Sequence, residues 1–163
     1  MVVARTKLMI QDDLLRPRAL MTISFKGPDP EKFYREIPAL LISAFKAHED
    51  QIQEKKFAWH KGEPDRFKID WELNKDLDRF SYYHIEIKLE GHTEKKQGIA
   101  EVTVAGTLRT EYSQDTFWEK SLLYEFLRMT WHQFFYAPKR DGFIREGRRI
   151  MSMFIDDLKK LTR

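Results

Sequence analysis

Cysteine is absent from all 163 residues. That removes thiolate zinc sites, iron–sulfur ligation, cysteine nucleophiles and disulfide staples together. Asparagine occurs once, at Asn74, and with abundant Lys, Arg and Glu this scarcity leans toward a thermophilic source. No apolar run approaches the roughly 18 residues of a membrane span. The stretch from Met1 to Lys7 is too short in apolar residues before Asp12 and Asp13 for a signal peptide, which makes the cytoplasm the default expectation. Neither sign of charge dominates, since 29 Lys and Arg against 26 Asp and Glu leave +3. That is far from the footprint of an obligate nucleic-acid binder. No Gly-rich phosphate loop or zinc-ligand spacing occurs either, so the pattern implies no cofactor and no metal.

What is present suits one globular domain over residues 1–163, with 42% apolar and 34% charged residues. Residues 1–19 show no sustained period, and Pro17 interrupts any regular element, so they read as an irregular or loosely docked segment. Met21, Ile23 and Phe25 alternate as a short strand ended by Gly27-Pro28. Asp29-Pro30-Glu31 has the chemistry of a helix start. Phe33, Ile37, Leu41, Ala44 and Phe45 then keep helical spacing, with Pro38 expected to kink or split the helix.

Period-2 alternation follows in Phe57/Trp59, in Phe67/Ile69/Trp71/Leu73, in Tyr83/Ile85/Ile87/Leu89 and in Ala100/Val102/Val104/Leu108. Each such run has one buried and one wet face. The short turns between runs specify an antiparallel meander, because parallel pairing needs a crossover. Asp65-Arg66-Phe67 and Asp78-Arg79-Phe80 read as two similar strand entries, and Gly106 as a bulge or bend. An aromatic helix is expected from about Phe117 to Tyr136, stopped by Pro138. A second helix from Phe143 to Leu161 places Gly147, Met151, Phe154 and Leu158 on one stripe.

Four groups of side chains invite chemistry. Lys68, Asp70 and Glu72 on one strand face His84, Glu86, Lys88 and Glu90 on the next. Their alternating signs read as a solvated, charge-paired face rather than a metal or acid–base site. His132 offers a pocket base, yet no Ser or carboxylate at a telling spacing accompanies it. The aromatics from Phe117 to Tyr136 surround most of their helix, which must then be buried on more than one side or bind something. Arg145, Arg148 and Arg149 share a helix flank where an anion such as phosphate or nucleic acid would be welcome.

The expected fold is α+β: an antiparallel meander sheet of about five strands, a kinked N-terminal helix and two C-terminal helices. A ferredoxin-like α/β sandwich is the alternative. The order strand, broken helix, meander, long helix resembles the helix-grip arrangement of START-type lipid-binding and polyketide-cyclase-like proteins. The likeness is one of element order, with no motif residue carried over. The leading functional expectation is a non-enzymatic binding or interaction domain. An apolar ligand or a partner segment would then lie between the sheet and the aromatic helix, against Trp71, Trp118, Phe126, Trp131 and His132. A weak nucleic-acid or phosphate binder through Arg145, Arg148 and Arg149, and an enzyme using His132, are the other readings. A homodimer through exposed aromatics or a sheet edge is a further expectation.

Overall fold

The computed structural model describes residues 6–95, 97–114 and 122–163. Six antiparallel strands form one sheet: β1 (Thr6–Asp13), β2 (Leu20–Pro28), β3 (Ile52–His60), β4 (Asp65–Asp76), β5 (Ser81–Glu94) and β6 (Gln97–Gln114). The meander occupies the sheet in the order β6-β5-β4-β3, and both β1 and β2 pair with the outer side of β6. They do so end to end: Thr6–Asp13 lie opposite Gln114–Thr107, and Leu20–Pro28 opposite Ala105–Gln97. Residues 14–19 form an excursion between them, anchored where Leu14 N–H donates to the Gly106 carbonyl at 2.9 Å.

The segment expected to be irregular therefore contains a strand, β1. Its sequence does not alternate, and its pairing comes entirely from a partner about a hundred positions away.

Helix α1 (Lys32–Phe45) buries Phe33, Ile37, Leu41 and Phe45, each one turn from the last. It starts later than Asp29, which takes a left-handed φ of 53° and pairs with Arg35 instead of capping. It runs on through Pro38, with Ile37 and Leu41 held against the sheet on either side.

The C-terminal half departs further from expectation. Helix α2 (Leu122–Trp131), a π-helical turn (His132–Tyr136) and helix α3 (Ala137–Lys160) follow one another without a break. There is one helical run instead of two helices, and Asp141-Gly142 lies inside it. The π turn explains how Pro138 is tolerated. The Ala137 N–H reaches back five residues to the His132 carbonyl, and this wider turn makes room for a ring that lacks an amide and clashes with a normal α-turn.

Helices α1 and α3 cover the apolar face. Phe33, Ile37, Met151, Phe154 and Leu158 meet Ile69, Leu73, Ile85, Ile87 and Leu89, all of them at most 1% exposed. Burial of side chains of this size contributes roughly 1.5–3 kcal/mol each. Gly147 lets α3 approach, since a Cβ there would stand 2.7 Å from the Tyr83 ring and 2.9 Å from Leu14. Gly106 serves the same purpose: β5 and β6 stay in register through it, and a Cβ would collide with the Met151 methyl. It marks a close approach, and the sheet's register shift lies in β3 between Glu54 and Lys56.

Candidate functional site at the helical junction

On their core-facing rows, β5 and β6 change from apolar to polar as they near the π turn. Tyr83, Ile85, Ile87 and Leu89 continue backward to Ser81, and Val104 and Leu108 continue forward to Thr110 and Tyr112. Ser81 and Thr110 are register partners, 1% and 0% exposed, with their hydroxyls 2.7 Å apart. Buried hydroxyls require partners, and the helical run supplies them. Tyr136 Oη lies 2.6 Å from Ser81 Oγ and donates to Asp78, while Arg140 Nε donates to Thr110 Oγ1 at 3.0 Å.

The network closes through charge. Arg140, with 8% of its side chain exposed, pairs with Asp12 of β1 at 2.5 Å, and Lys139 pairs with Asp78 at 2.7 Å. Asp78 also accepts the Phe80 and Ser81 amides at 2.9 Å, which shapes the β4–β5 turn. Burial is the largest single influence on its carboxyl and pushes its pKa up. Lys139, the two amides and Tyr136 together outweigh burial and hold it below the ordinary value.

Beside this clamp lie five rings. Phe80 sits 5.4 Å from Tyr112 and 5.8 Å from both Trp131 and Tyr136. Trp131 stacks on Tyr136 at 5.3 Å, and the Tyr112 hydroxyl is 2.6 Å from His132 Nδ1. Burial, then the nearby cations of Arg140 and Arg128, lowers the His132 pKa. Burial, followed by Tyr136, raises that of Tyr112 to about 12. Both shifts keep the phenol protonated and the imidazole neutral, so the two share one hydrogen bond whose donor follows from the imidazole tautomer.

Two grooves meet at this point. One of about 320 Å³ is lined by Phe80, Tyr112, Tyr124, Leu127, Arg128 and Trp131. The other, of about 280 Å³, is lined by Ile10, Tyr112, Arg128, Met129, His132, Gln133 and Ala137. Tyr112 and Arg128 form their common wall, with the Arg128 guanidinium 5.7 Å over the Tyr112 ring.

The structure brings two of the five expected ligand residues, Trp131 and His132, to these grooves. Phe126 is on the same helix but faces out, 66% exposed. Trp118 lies outside the described residues, as does Phe117 at the start of the expected aromatic helix. Trp71 is elsewhere, 3% exposed and stacked on Tyr34 at 5.9 Å in a second aromatic group with Trp59 and Phe67.

The three candidate arginines differ in their surroundings. Arg149 is engaged by both carboxylate oxygens of Glu146 at 2.6 and 3.0 Å, Arg145 is exposed and Arg148 half-buried. On the sheet's other face, Lys68 opposes Glu90 and Asp70 opposes Lys88, while Glu72 opposes Glu86. His84 bridges Asn74 and Glu86 at 2.7 and 2.9 Å. Among the described residues, no group of three or more such side chains is placed to hold a metal ion.

Sequence reasoning missed Ser81, Thr110 and Tyr112; it takes Tyr136 as one of the helix aromatics and Arg140 as part of a basic cluster with Lys139, Arg145, Arg148 and Arg149, and joins neither to the sheet. A legible signal existed in the polar residues at register-matched ends of two apolar rows. The two Asp-Arg-Phe tripeptides are not equivalent either: Phe67 enters the core, 3% exposed, whereas Phe80 joins the ring cluster at the helical junction.

No family model matches the chain, and comparison with curated proteins and with solved structures gives no match. Among the described residues, no helix is long and apolar enough to cross a membrane.

Proposed function

We propose that this protein is a non-enzymatic binding domain that holds an elongated apolar ligand across Tyr112, in the two grooves between the end of β6 and the α2–π segment. The observation that carries the reading is the pair of grooves sharing the Tyr112–Arg128 wall. Each is near the lower end of the roughly 300–1,000 Å³ typical of small-molecule sites, and aromatic and aliphatic walls with a few polar atoms are what such sites present. The order of elements supports a helix-grip-like arrangement: β2, α1 and the meander precede the long helical run, which covers the sheet. It differs from the first expectation in where the ligand sits. The space between α1, α3 and the sheet is filled by Phe33, Phe154, Ile37 and Met151; a more open groove of about 440 Å³ runs beside α1 past Arg35, Glu49, Glu54 and Trp71, and the two mainly apolar grooves lie under α2.

Binding is favoured over catalysis by the state of the Tyr112–His132 pair. A phenol held at about 12 and an imidazole whose Nδ1 is occupied are poor partners for proton transfer near neutral pH.

Native mass spectrometry of the purified chain is expected to show a copurified apolar molecule that departs on unfolding. Titration with the apolar dye ANS is expected to give saturable binding that Met129→Trp, on the groove wall, weakens at least tenfold. Phe57→Ala, exposed on the far edge strand, should leave it unchanged. A dye affinity equal in wild type and Met129→Trp, with no copurified ligand, would refute the reading.

A further inference from the structure

Helix α2 is built inside out. Its charged Arg128 is 9% exposed, while Leu123, Phe126 and Leu127 are 70%, 66% and 57% exposed. Those three stand at the i, i+3 and i+4 positions of one face, and Phe134, seven residues beyond Leu127, extends the stripe across the π turn with Phe135. Phe134 and Phe135 are 70% and 72% exposed. Tyr124, Arg128 and His132 form the opposite side, turned to the grooves.

We infer that this outward stripe is the interface between two copies of the chain, packed about a two-fold axis with the α2 helices antiparallel. Three observations select a second copy. The first is area: with side chains of this size worth about 150–250 Å² when aromatic, the five residues present on the order of 600 Å². That is close to the roughly 800 Å² per partner of a stable interface, and at the top of what monomers ordinarily leave bare.

The second is composition. The stripe contains no charged residue, so an identical stripe meets it without like-charge repulsion, and an isologous contact requires only such self-complementarity. The third is the lack of a basic rim among the described residues of α2 and the π turn. Helices that lie on a lipid surface set Lys and Arg beside their apolar face. Here Arg128 points inward and Lys139 is tied to Asp78. Leu127 also borders one of the grooves, but the other four residues of the stripe do not line them, so the pairing does not require a bound ligand.

Sedimentation equilibrium on the full chain is expected to give twice the 19.6 kDa chain mass. Phe126→Glu and Phe134→Glu should each raise the dissociation constant at least a hundredfold and return the chain mass. Both side chains are exposed, so far-UV circular dichroism should be unchanged. A single cysteine provides a second readout in this cysteine-free chain. Thr130→Cys, in the middle of the stripe, should form a disulfide-linked dimer on mild oxidation, and Glu101→Cys, on the opposite face of the sheet, should not. The inference is overturned by a wild type that stays at the chain mass at about 100 μM, by glutamate variants that remain dimeric, or by flotation of the monomer with phosphatidylcholine/phosphatidylglycerol vesicles.

Discussion

The two ends of one helical run follow opposite rules. Along α3, Gly147, Met151, Phe154, Ile155 and Leu158 turn inward onto the sheet. Along α2 and the π turn the large apolar side chains turn outward, and the inward positions are held by Arg128, His132 and Tyr136. The first end is complete by itself, because its apolar stripe meets a matching surface. The second touches its own sheet through hydrogen bonds, ion pairs and ring edges, and leaves its hydrophobic surface for something outside the fold. The π turn separates the two regimes, and the clamp from Asp12 through Arg140 to Asp78 fixes the angle at which the second leaves the first.

The largest test of that contrast removes a ring from each end. Phe154→Ala should cost about 3–5 kcal/mol, as buried aromatic truncations do. Phe135→Ala should change the stability of the isolated chain by less than about 0.5 kcal/mol. Urea denaturation at concentrations where the chain is monomeric reads both, and equal losses would break the comparison.

A smaller effect concerns charge. Arg140→Met removes the partner of Asp12 and the donor to Thr110 Oγ1, and should cost about 3 kcal/mol. Arg149→Ala deletes an exposed pair with Glu146 and should leave the thermal midpoint unmoved. A large loss at Arg149 would put the stabilising charges on the wrong side of α3.

The smallest effect is in pH. Asp78 is held below its ordinary value of 3.8, so its stabilisation is present above pH 3.8 and is lost as pH falls through the lower folded value. Asp78→Asn should therefore be less stable at neutral pH and lose less on acidification below pH 4. Circular-dichroism melts at pH 7 and pH 3 measure the difference, and a variant with the wild-type acid profile would remove Asp78 from the clamp.

Much of the completed end was legible in the residues. The four alternating runs became β3 to β6, the spacing of Phe33, Ile37 and Leu41 became the buried face of α1, and the Gly147–Leu158 stripe became that of α3. Periodicity worked there because local burial pattern and tertiary contact agree. It failed where a long-range partner decides. β1 lacks alternation and is a strand because β6 is there to pair with it. Pro138 has the chemistry of a stop, and a π turn absorbs it. Nothing local marks Arg140 as a buried residue, since its partner Asp12 is 128 positions away. Trp71 shares a strand row with the core, but nothing in that row says that α1, and not α2, lies over it.

The position of β1 has a consequence for the growing chain. Every strand partner of Thr6–Asp13 lies in the segment Thr107–Gln114, so β1 has nothing to pair with until β6 has left the ribosome. Its Asp12 then waits for Arg140, more than two dozen residues later still. During synthesis a strand with free amides and carbonyls is a template for other chains, and a contact this distant in sequence forms slowly. β1 thus depends on residues about a hundred positions away being present, and an interrupted synthesis would leave it exposed.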